Sequence, residues 1–210
     1  MDFVRDAAAS GNLQALTVAL NELPNDPNRS IQLRSVISST IHGGHFDCFE
    51  LFVDSGASLD HPNAAGQRPV HLASEDHNRL NFLILLLEVR LELMDSVNGD
   101  GATPLHVAVS SANELGVEHL LNHGADTERI NLNQQTPLHL ACHHGFPVIV
   151  FQLLNGEADR EASDAAGQRP LHFACALESS LCAELLLQHE EHAEHPAADI
   201  EALNPAAILS

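Results

Sequence analysis

Histidine is the side chain most available for chemistry in this sequence, with 15 copies among 210 residues. Imidazole nitrogens bind metal ions and transfer protons near neutral pH. His189, His192 and His195 are three residues apart, a spacing that puts neighbours on one side of a helix, among several glutamates. The triplet drifts round the helix, however, and Pro196 ends it. We predict no metal site: this triplet is the one candidate, and a solvated polar tail is the favoured interpretation.

A second group with metal-binding side chains is the run Cys142-His143-His144. The segment 95–101, DSVNGDG, is acidic and glycine-rich, but Val97 and Gly99 stand where calcium ligands would be needed. That segment is therefore predicted to be a turn. No G-x-S-x-G, H-E-x-x-H, Walker or dinucleotide-binding motif occurs in the sequence. We predict that the protein is not an enzyme and uses no cofactor.

The chain is strongly acidic, with 29 acidic and nine basic residues and a formal charge of −20 at pH 7. Such a surface repels phosphate backbones and anionic lipids and attracts basic partners, so nucleic-acid and membrane binding are disfavoured. A role in solubility alone is the open alternative. Every basic residue is an arginine. Selection against ubiquitin attachment and coding bias toward arginine both explain this, and we favour the second.

The first six residues, MDFVRD, lack the apolar core of a signal peptide, and the longest apolar run, residues 82–87, is too short to span a bilayer. The four cysteines form no C-x-x-C pair. We therefore expect a soluble intracellular protein, cytoplasmic or nuclear, with reduced cysteines.

Four segments share one pattern: GQRPVHLA at 66–73, GATPLHVA at 101–108, QQTPLHLA at 134–141 and GQRPLHFA at 167–174. Their prolines are 35, 33 and 33 residues apart. The chain resembles the ankyrin repeat family, whose period is 33 residues and whose signature is T-P-L-H-x-A. This resemblance implies an all-α repeat solenoid of helix-turn-helix pairs joined by β-hairpin-like loops.

Weaker copies of the pattern extend the resemblance over a single ankyrin-repeat domain at 1–210. The predicted repeats are, approximately, 1–29, 30–62, 63–97, 98–130, 131–163 and 164–198, with a partial seventh at 199–210. The partial repeat is a carboxyl-terminal cap or the start of a longer array, and we favour the longer array slightly. Two repeats carry two extra residues, around 89–94 and 190–195, which are predicted to lengthen the second helix or its loop on the outer side.

The motif residues have predictable structural roles. Thr103 and Thr136 can N-cap the first helix of their repeats, with proline at the first helical position. Arg68 and Arg169 replace that threonine and cannot cap in the same way, so their helices are predicted to begin less firmly.

The resemblance implies that the motif histidines hydrogen-bond backbone atoms in the adjoining turn, which assigns a structural role to His71, His106, His139 and His172. Cys142 and Cys175 share a repeat position where a small buried residue is usual, so packing accounts for both.

In this family, partners usually bind the concave surface made by the hairpin tips and the first helices. We therefore predict a scaffold, adaptor or inhibitor that binds a protein with a basic or amphipathic segment there. Self-association through the carboxyl-terminal end is a further possibility. The alternative is an enzyme or metal-binding protein built on an ankyrin solenoid. The candidate partner-binding residues are Glu75, Asp76, Asp100, Ser110, Ser111, Leu132, Asn133, Gln135, His143, His144, Gln168 and Leu177.

Overall fold

The computed structural model describes residues 2–22, 29–177 and 179–188. The chain divides into two compact units, residues 1–120 and 121–210, and the division falls inside a helix. Within the described ranges the secondary structure is helical and contains no strand. The predicted all-α fold class is confirmed.

The helices follow one another along the chain in pairs joined by short turns. Their bounds are α1 Asp2–Ala9, α2 Leu13–Glu22, α3 Arg29–Gly43, α4 Phe46–Asp54, α5 Pro69–Ser74, α6 Leu80–Val89, α7 Pro104–Ser110, α8 Glu114–Asn122, α9 Pro137–His144, α10 Pro147–Asn155, α11 Pro170–Ala176 and α12 Ser180–Gln188. Two short 3-10 helices, His77–Arg79 and Leu91–Leu93, flank α6.

The first helices α5, α7, α9 and α11 all begin at the motif proline, after a residue with extended backbone. Proline is suited to this place because the first helical N–H needs no partner within the helix. The Thr103 hydroxyl accepts the backbone N–H of His106 at 3.4 Å, as predicted for an N-cap. Arg68 makes no such bond, because a guanidinium only donates. It donates instead to the backbone carbonyl of Val97 at 2.7 Å.

Each unit has its own apolar core. In the first unit, α5 packs against α3 and α7, and the buried rings of Phe49 and Phe82 meet at 5.3 Å. In the second, α9 packs against α10 and α11, and α10 against α12, around Leu138, Val150 and Leu153. A helix pair alone would leave these side chains in water, so stability comes from stacking neighbouring pairs.

Four turns with the same hydrogen-bonding pattern precede the motif prolines. Each begins with an Asn or Asp whose backbone N–H donates to the carbonyl four residues on. Its side-chain Oδ1 accepts the N–H groups two and four residues on, a pattern that closes the turn without a strand. The first residues of the four turns are Asn63, Asn98, Asn131 and Asp164.

The fourth residue of each turn has a left-handed backbone. Three of these residues are glycines, with φ of 73° at Gly66, 72° at Gly101 and 72° at Gly167. The fourth is Gln134, with φ of 57°. Side chains with a Cβ are strained in this conformation.

Neighbouring turns within a unit also touch. The Gly99 N–H donates to the Ala65 carbonyl at 3.2 Å, and a Cβ added to Gly66 would lie 2.4 Å from the Gly99 nitrogen. In the second unit, the Ala165 N–H donates to the Asn133 carbonyl at 3.4 Å. The tips are therefore held in place by backbone contacts.

The predicted insertion around 89–94 contains the 3-10 helix Leu91–Leu93, which lengthens the connection after α6. Its placement on the outer side stays a prediction. The insertion around 190–195 lies outside the described residues, as does the partial repeat at 199–210.

Candidate functional site

The motif histidine His71 is fully buried and joins its helix to the next turn. Its Nδ1 accepts the backbone N–H of Arg68 at 3.2 Å, so the ring proton lies on Nε2. Nε2 donates to the carbonyls of Ser96 and Ala102, both at 3.1 Å. Burial lowers the pKa of His71 to about 4. The neutral ring is a structural connector.

His139 repeats this arrangement in the second unit. Its Nδ1 accepts the Thr136 N–H at 3.2 Å, its Nε2 donates to the Gln168 carbonyl at 3.1 Å, and burial lowers its pKa. The structural role predicted for the motif histidines is confirmed at His71 and His139. His172 is exposed and keeps the first of these bonds, from the Arg169 N–H at 2.9 Å.

The run Cys142-His143-His144 does not act as one group. Cys142 is buried, and burial raises the pKa of its thiol, which disfavours the thiolate that a metal or an electrophile requires. The two imidazoles are exposed. His143 lies edge-on to Phe173 with ring centres 5.6 Å apart, and His144 stacks on Phe146 at 5.5 Å.

Among the described residues, no three His, Cys, Asp or Glu side chains are grouped as a metal site would require. His189, His192 and His195 lie outside the described residues.

The packing role predicted for Cys175 is wrong. Cys142 is buried, but Cys175, at the same repeat position on α11, is exposed. The physical reason is the neighbour: α11 packs against α9, while no helix follows α12 within the described part of the chain. A position that faces the next repeat is buried only where the next repeat lies over it.

The acidic residues at the end of α5 are already engaged within the first unit. The Glu75 carboxylate accepts from Gln67 Nε2 at 2.9 Å and pairs with Arg79 at 3.1 Å. Asp76 accepts the Asn78 N–H at 2.9 Å, and this hydrogen bond lowers the pKa of the Asp76 carboxyl. Both carboxylates are half-buried, and these contacts within the first unit occupy part of their hydrogen-bonding capacity.

The other candidate residues of the first unit are open to solvent. Asp100 is exposed in the turn before α7, where its backbone N–H donates to Asn98 Oδ1. Ser110 is the last residue of α7 and Ser111 is its C-cap, and both are exposed. Asp100 therefore presents a carboxylate at a turn tip.

The turn before α9 carries the most exposed apolar side chain among the candidates. Leu132 is 74% exposed, and Asn133 beside it is also exposed. Gln135 is half-buried, and Gln168, in the following turn, is exposed. The exposure predicted at this tip is thus found, and it leaves an uncovered leucine.

Leu177, the C-cap of α11, lies over the end of α9. It is 50% exposed, and a Cβ added to Gly145 would be 2.7 Å from Leu177 Cδ2. Because Gly145 directly follows His143 and His144, these exposed rings and Leu177 belong to one region of the second unit. The structure thereby brings Leu177, at the end of α11, together with His143 and His144 of α9.

Two features of this surface were missed by reasoning from the sequence. Ile130 is 53% exposed and stands two residues before Leu132, a spacing that could have signalled a second exposed apolar side chain. The second feature is the pairing of the basic residues throughout the chain. Six arginines contact carboxylates or backbone carbonyls of the same chain: Arg68, Arg79, Arg90, Arg129, Arg160 and Arg169.

A family model for ankyrin repeats, in three copies, matches residues 42–131 and 105–199. The chain belongs to the ankyrin repeat family. A search of curated proteins found no match to it. Ankyrin repeats are generally protein–protein interaction modules and are typically not enzymes. The match does not fix the number of repeats, so the division into six and a partial seventh stays a prediction. Within the described ranges, no helix has both the length and the apolar character needed to cross a bilayer.

Proposed function

We propose that this ankyrin repeat chain binds a partner protein through its turn tips and the carboxyl-terminal ends of its first helices, as a scaffold, adaptor or inhibitor. The observation that carries the proposal is Leu132, a leucine 74% exposed at a turn tip. A leucine there adds nothing to repeat packing, whereas burial against a partner would remove its apolar area from water.

The charge of the chain supports a partner with a basic segment. The formal charge is −20, and six of the nine arginines are already held by acceptors of the same chain. Uncompensated carboxylates such as Asp100 are therefore the charges left for recognition. An Arg- or Lys-bearing segment gains affinity and a faster association rate from such a surface.

The residues of the proposed surface fall in both units. In the first it comprises Glu75, Asp76, Asp100, Ser110 and Ser111. In the second it comprises Leu132, Asn133, Gln135, His143, His144, Gln168 and Leu177. Because Glu75 pairs with Arg79, reversing its charge would disturb α5 as well as binding. Asp100 and Leu132 are better probes, since both are exposed.

Capture of proteins from the native source by the immobilised chain, with quantitative mass spectrometry, tests the proposal. Partners should be retained by the wild type and reduced about tenfold by Asp100→Arg or by Leu132→Ser. Retention should also fall as salt is raised. Circular dichroism of each variant checks that the helices persist. Partners retained by both variants as strongly as by the wild type would refute this location of the site.

The proposal also includes a non-catalytic role, a cytoplasmic or nuclear location and the option of self-association through the carboxyl-terminal end. Elemental analysis of the purified chain separates this role from the metal-protein alternative, because stoichiometric metal would favour that alternative. Sedimentation at several concentrations measures self-association.

A further inference from the structure

The end of α6 departs from the way the other second helices end. After α4 and α8 the chain turns through Gly56 and Gly124, whose φ values are 71° and 85°. After α6 it instead enters the 3-10 helix Leu91–Leu93, through Arg90 with φ of −141° and ψ of 65°. The five residues Glu88-Val89-Arg90-Leu91-Glu92, which connect the end of α6 to this 3-10 helix, are here named the insertion ridge.

The insertion ridge exposes apolar side chains although its base is anchored in the core. Leu93 and Met94 are buried directly after it. Val89 and Leu91, on either side of Arg90, are 47% and 51% exposed. The insertion ridge therefore leaves about half of the surface of Val89 and Leu91 in water.

Two ion pairs and a backbone hydrogen bond hold Arg90 in place. Arg90 Nη2 lies 2.5 Å from Asp60 Oδ2, thirty residues earlier, and Arg90 Nε lies 2.5 Å from Glu92 Oε1. The Arg90 N–H also donates to the Leu86 carbonyl at 2.9 Å. A held backbone lowers the entropy that a binding partner would have to remove.

The charge around the ridge is negative. Arg90 faces the two carboxylates of Asp60 and Glu92, which leaves one negative charge in excess, and the exposed Glu88 adds another. The ridge thus alternates acidic and apolar side chains around a neutralised arginine. A complementary surface has aliphatic side chains between Arg or Lys residues.

We propose that the insertion ridge is a second protein-docking surface, separate from the turn tips, and that its partner is an amphipathic segment with aliphatic side chains flanked by Arg or Lys. Val89 and Leu91 make the apolar contacts, and Glu88 and Glu92 face the basic groups. Arg90 is a positioning residue that holds the ridge through Asp60. The inference does not depend on binding at the turn tips.

Selection from a displayed library of random twelve-residue peptides, against the full chain, tests this proposal. Peptides that bind the wild type should include a class rich in Arg or Lys and in Leu, Ile or Val. Their affinity should fall at least about tenfold with Val89→Ser/Leu91→Ser and about threefold with Glu88→Gln. The matched control is Leu115→Ser, since Leu115 is 49% exposed in the same unit, and it should change affinity less than about twofold.

The variants also separate this site from the turn tips. Ridge-binding peptides should keep their affinity for Asp100→Arg, whereas loss with that variant would assign them to the surface proposed above. The ridge proposal is overturned if no selected peptide depends on Val89 and Leu91, or if the dependent peptides are acidic. It is also overturned if the ridge variant abolishes a dimer seen by sedimentation of the wild type, because the occupant is then a second copy.

Discussion

The helices α9 and α11 begin with nearly the same motif, TPLHLAC and RPLHFAC, but their side chains have different surroundings. His139 and Cys142 on α9 are fully buried. His172 and Cys175, at the matching positions of α11, are exposed. Sequence identity at these positions therefore does not determine burial.

The difference comes from what lies beyond each helix. The turn before α11 supplies the Gln168 carbonyl that accepts from His139 Nε2, and α11 itself packs on α9. Beyond α11, no described helix offers the same cover. In a repeat protein each motif is completed by its successor, so the same residues are structural in one place and surface residues in another.

Thiol reactivity offers the largest test of this contrast. Cys175 should react with iodoacetamide at least about a thousandfold faster than Cys142 under native conditions. The reason is that the Cys142 thiol becomes accessible only when the structure around it unfolds locally. Cys48 and Cys182 are also buried, and burial raises the pKa of all three protected thiols. Mass spectrometry after timed quenching measures the rates.

Cys175→Ser is the control for this measurement, and it should abolish the fast phase of labelling. Fast labelling that persists in this variant would show that a cysteine assigned as buried is the reactive one, and a Cys175 as slow as Cys142 would show that the two positions are equally covered.

Removing the motif histidine should destabilise the protein more on α9 than on α11. His139→Ala is expected to lower the free energy of unfolding by about 3 kcal/mol, because it leaves the Thr136 N–H and the Gln168 carbonyl without their buried partner. His172→Ala should cost less than about 1 kcal/mol, since the ring is exposed. Urea unfolding followed by circular dichroism measures both, and equal losses would contradict the neighbour argument.

Acid should destabilise the repeats that contain a buried motif histidine. The folded-state pKa of His71 is lowered from 6.5 to about 4, so below pH 6.5 the unfolded chain takes up a proton that the folded chain does not. The free energy of unfolding therefore falls with pH through this window, by about 2 kcal/mol between pH 8 and pH 5 from His71 alone. His139, whose pKa is also lowered, adds to the fall.

The control for the acid effect is His71→Asn, which has no titrating ring at that position. The variant is less stable at neutral pH, but its stability should decline less steeply between pH 6.5 and pH 5. An unchanged slope would mean that other groups cause the acid sensitivity.

The turns before the two helices provide the smallest test. Gln134, before α9, has φ of 57°, whereas Gly167 occupies that place before α11 with φ of 72°. Gln134→Gly should raise the free energy of unfolding by about 0.5 kcal/mol by relieving the left-handed strain. The reverse change, Gly167→Gln, should lower it by a similar amount. Thermal unfolding of both variants measures the pair, and a loss of stability from Gln134→Gly would contradict the strain argument.

The helix pairs and their starting residues were predictable because each repeat carries its own signals. Proline marks the first helical residue, and the Thr103 hydroxyl caps α7 as its position predicts. The turn residues are a further signal in the sequence, because they repeat with the same 35- and 33-residue spacing: Asn63, Asn98, Asn131 and Asp164.

The candidate surface was less predictable because burial and pairing depend on neighbours. The i, i+4 spacing of Glu75 and Arg79 could have indicated their ion pair, but the contact from Gln67 comes from the preceding turn. Likewise, the exposure of Leu132 followed from its turn, whereas that of Cys175 depends on what covers α11.

The reach of the histidine bonds has a consequence for folding kinetics. His71 bonds to carbonyls 25 and 31 residues ahead, and His139 to one 29 residues ahead. Each bond therefore closes a loop no longer than one repeat. Because these loops have similar lengths, the chain entropy lost on closing them is similar at each place in the array. Such a chain has low contact order, so we expect folding to start at any well-formed pair and to spread to adjacent pairs in sequence.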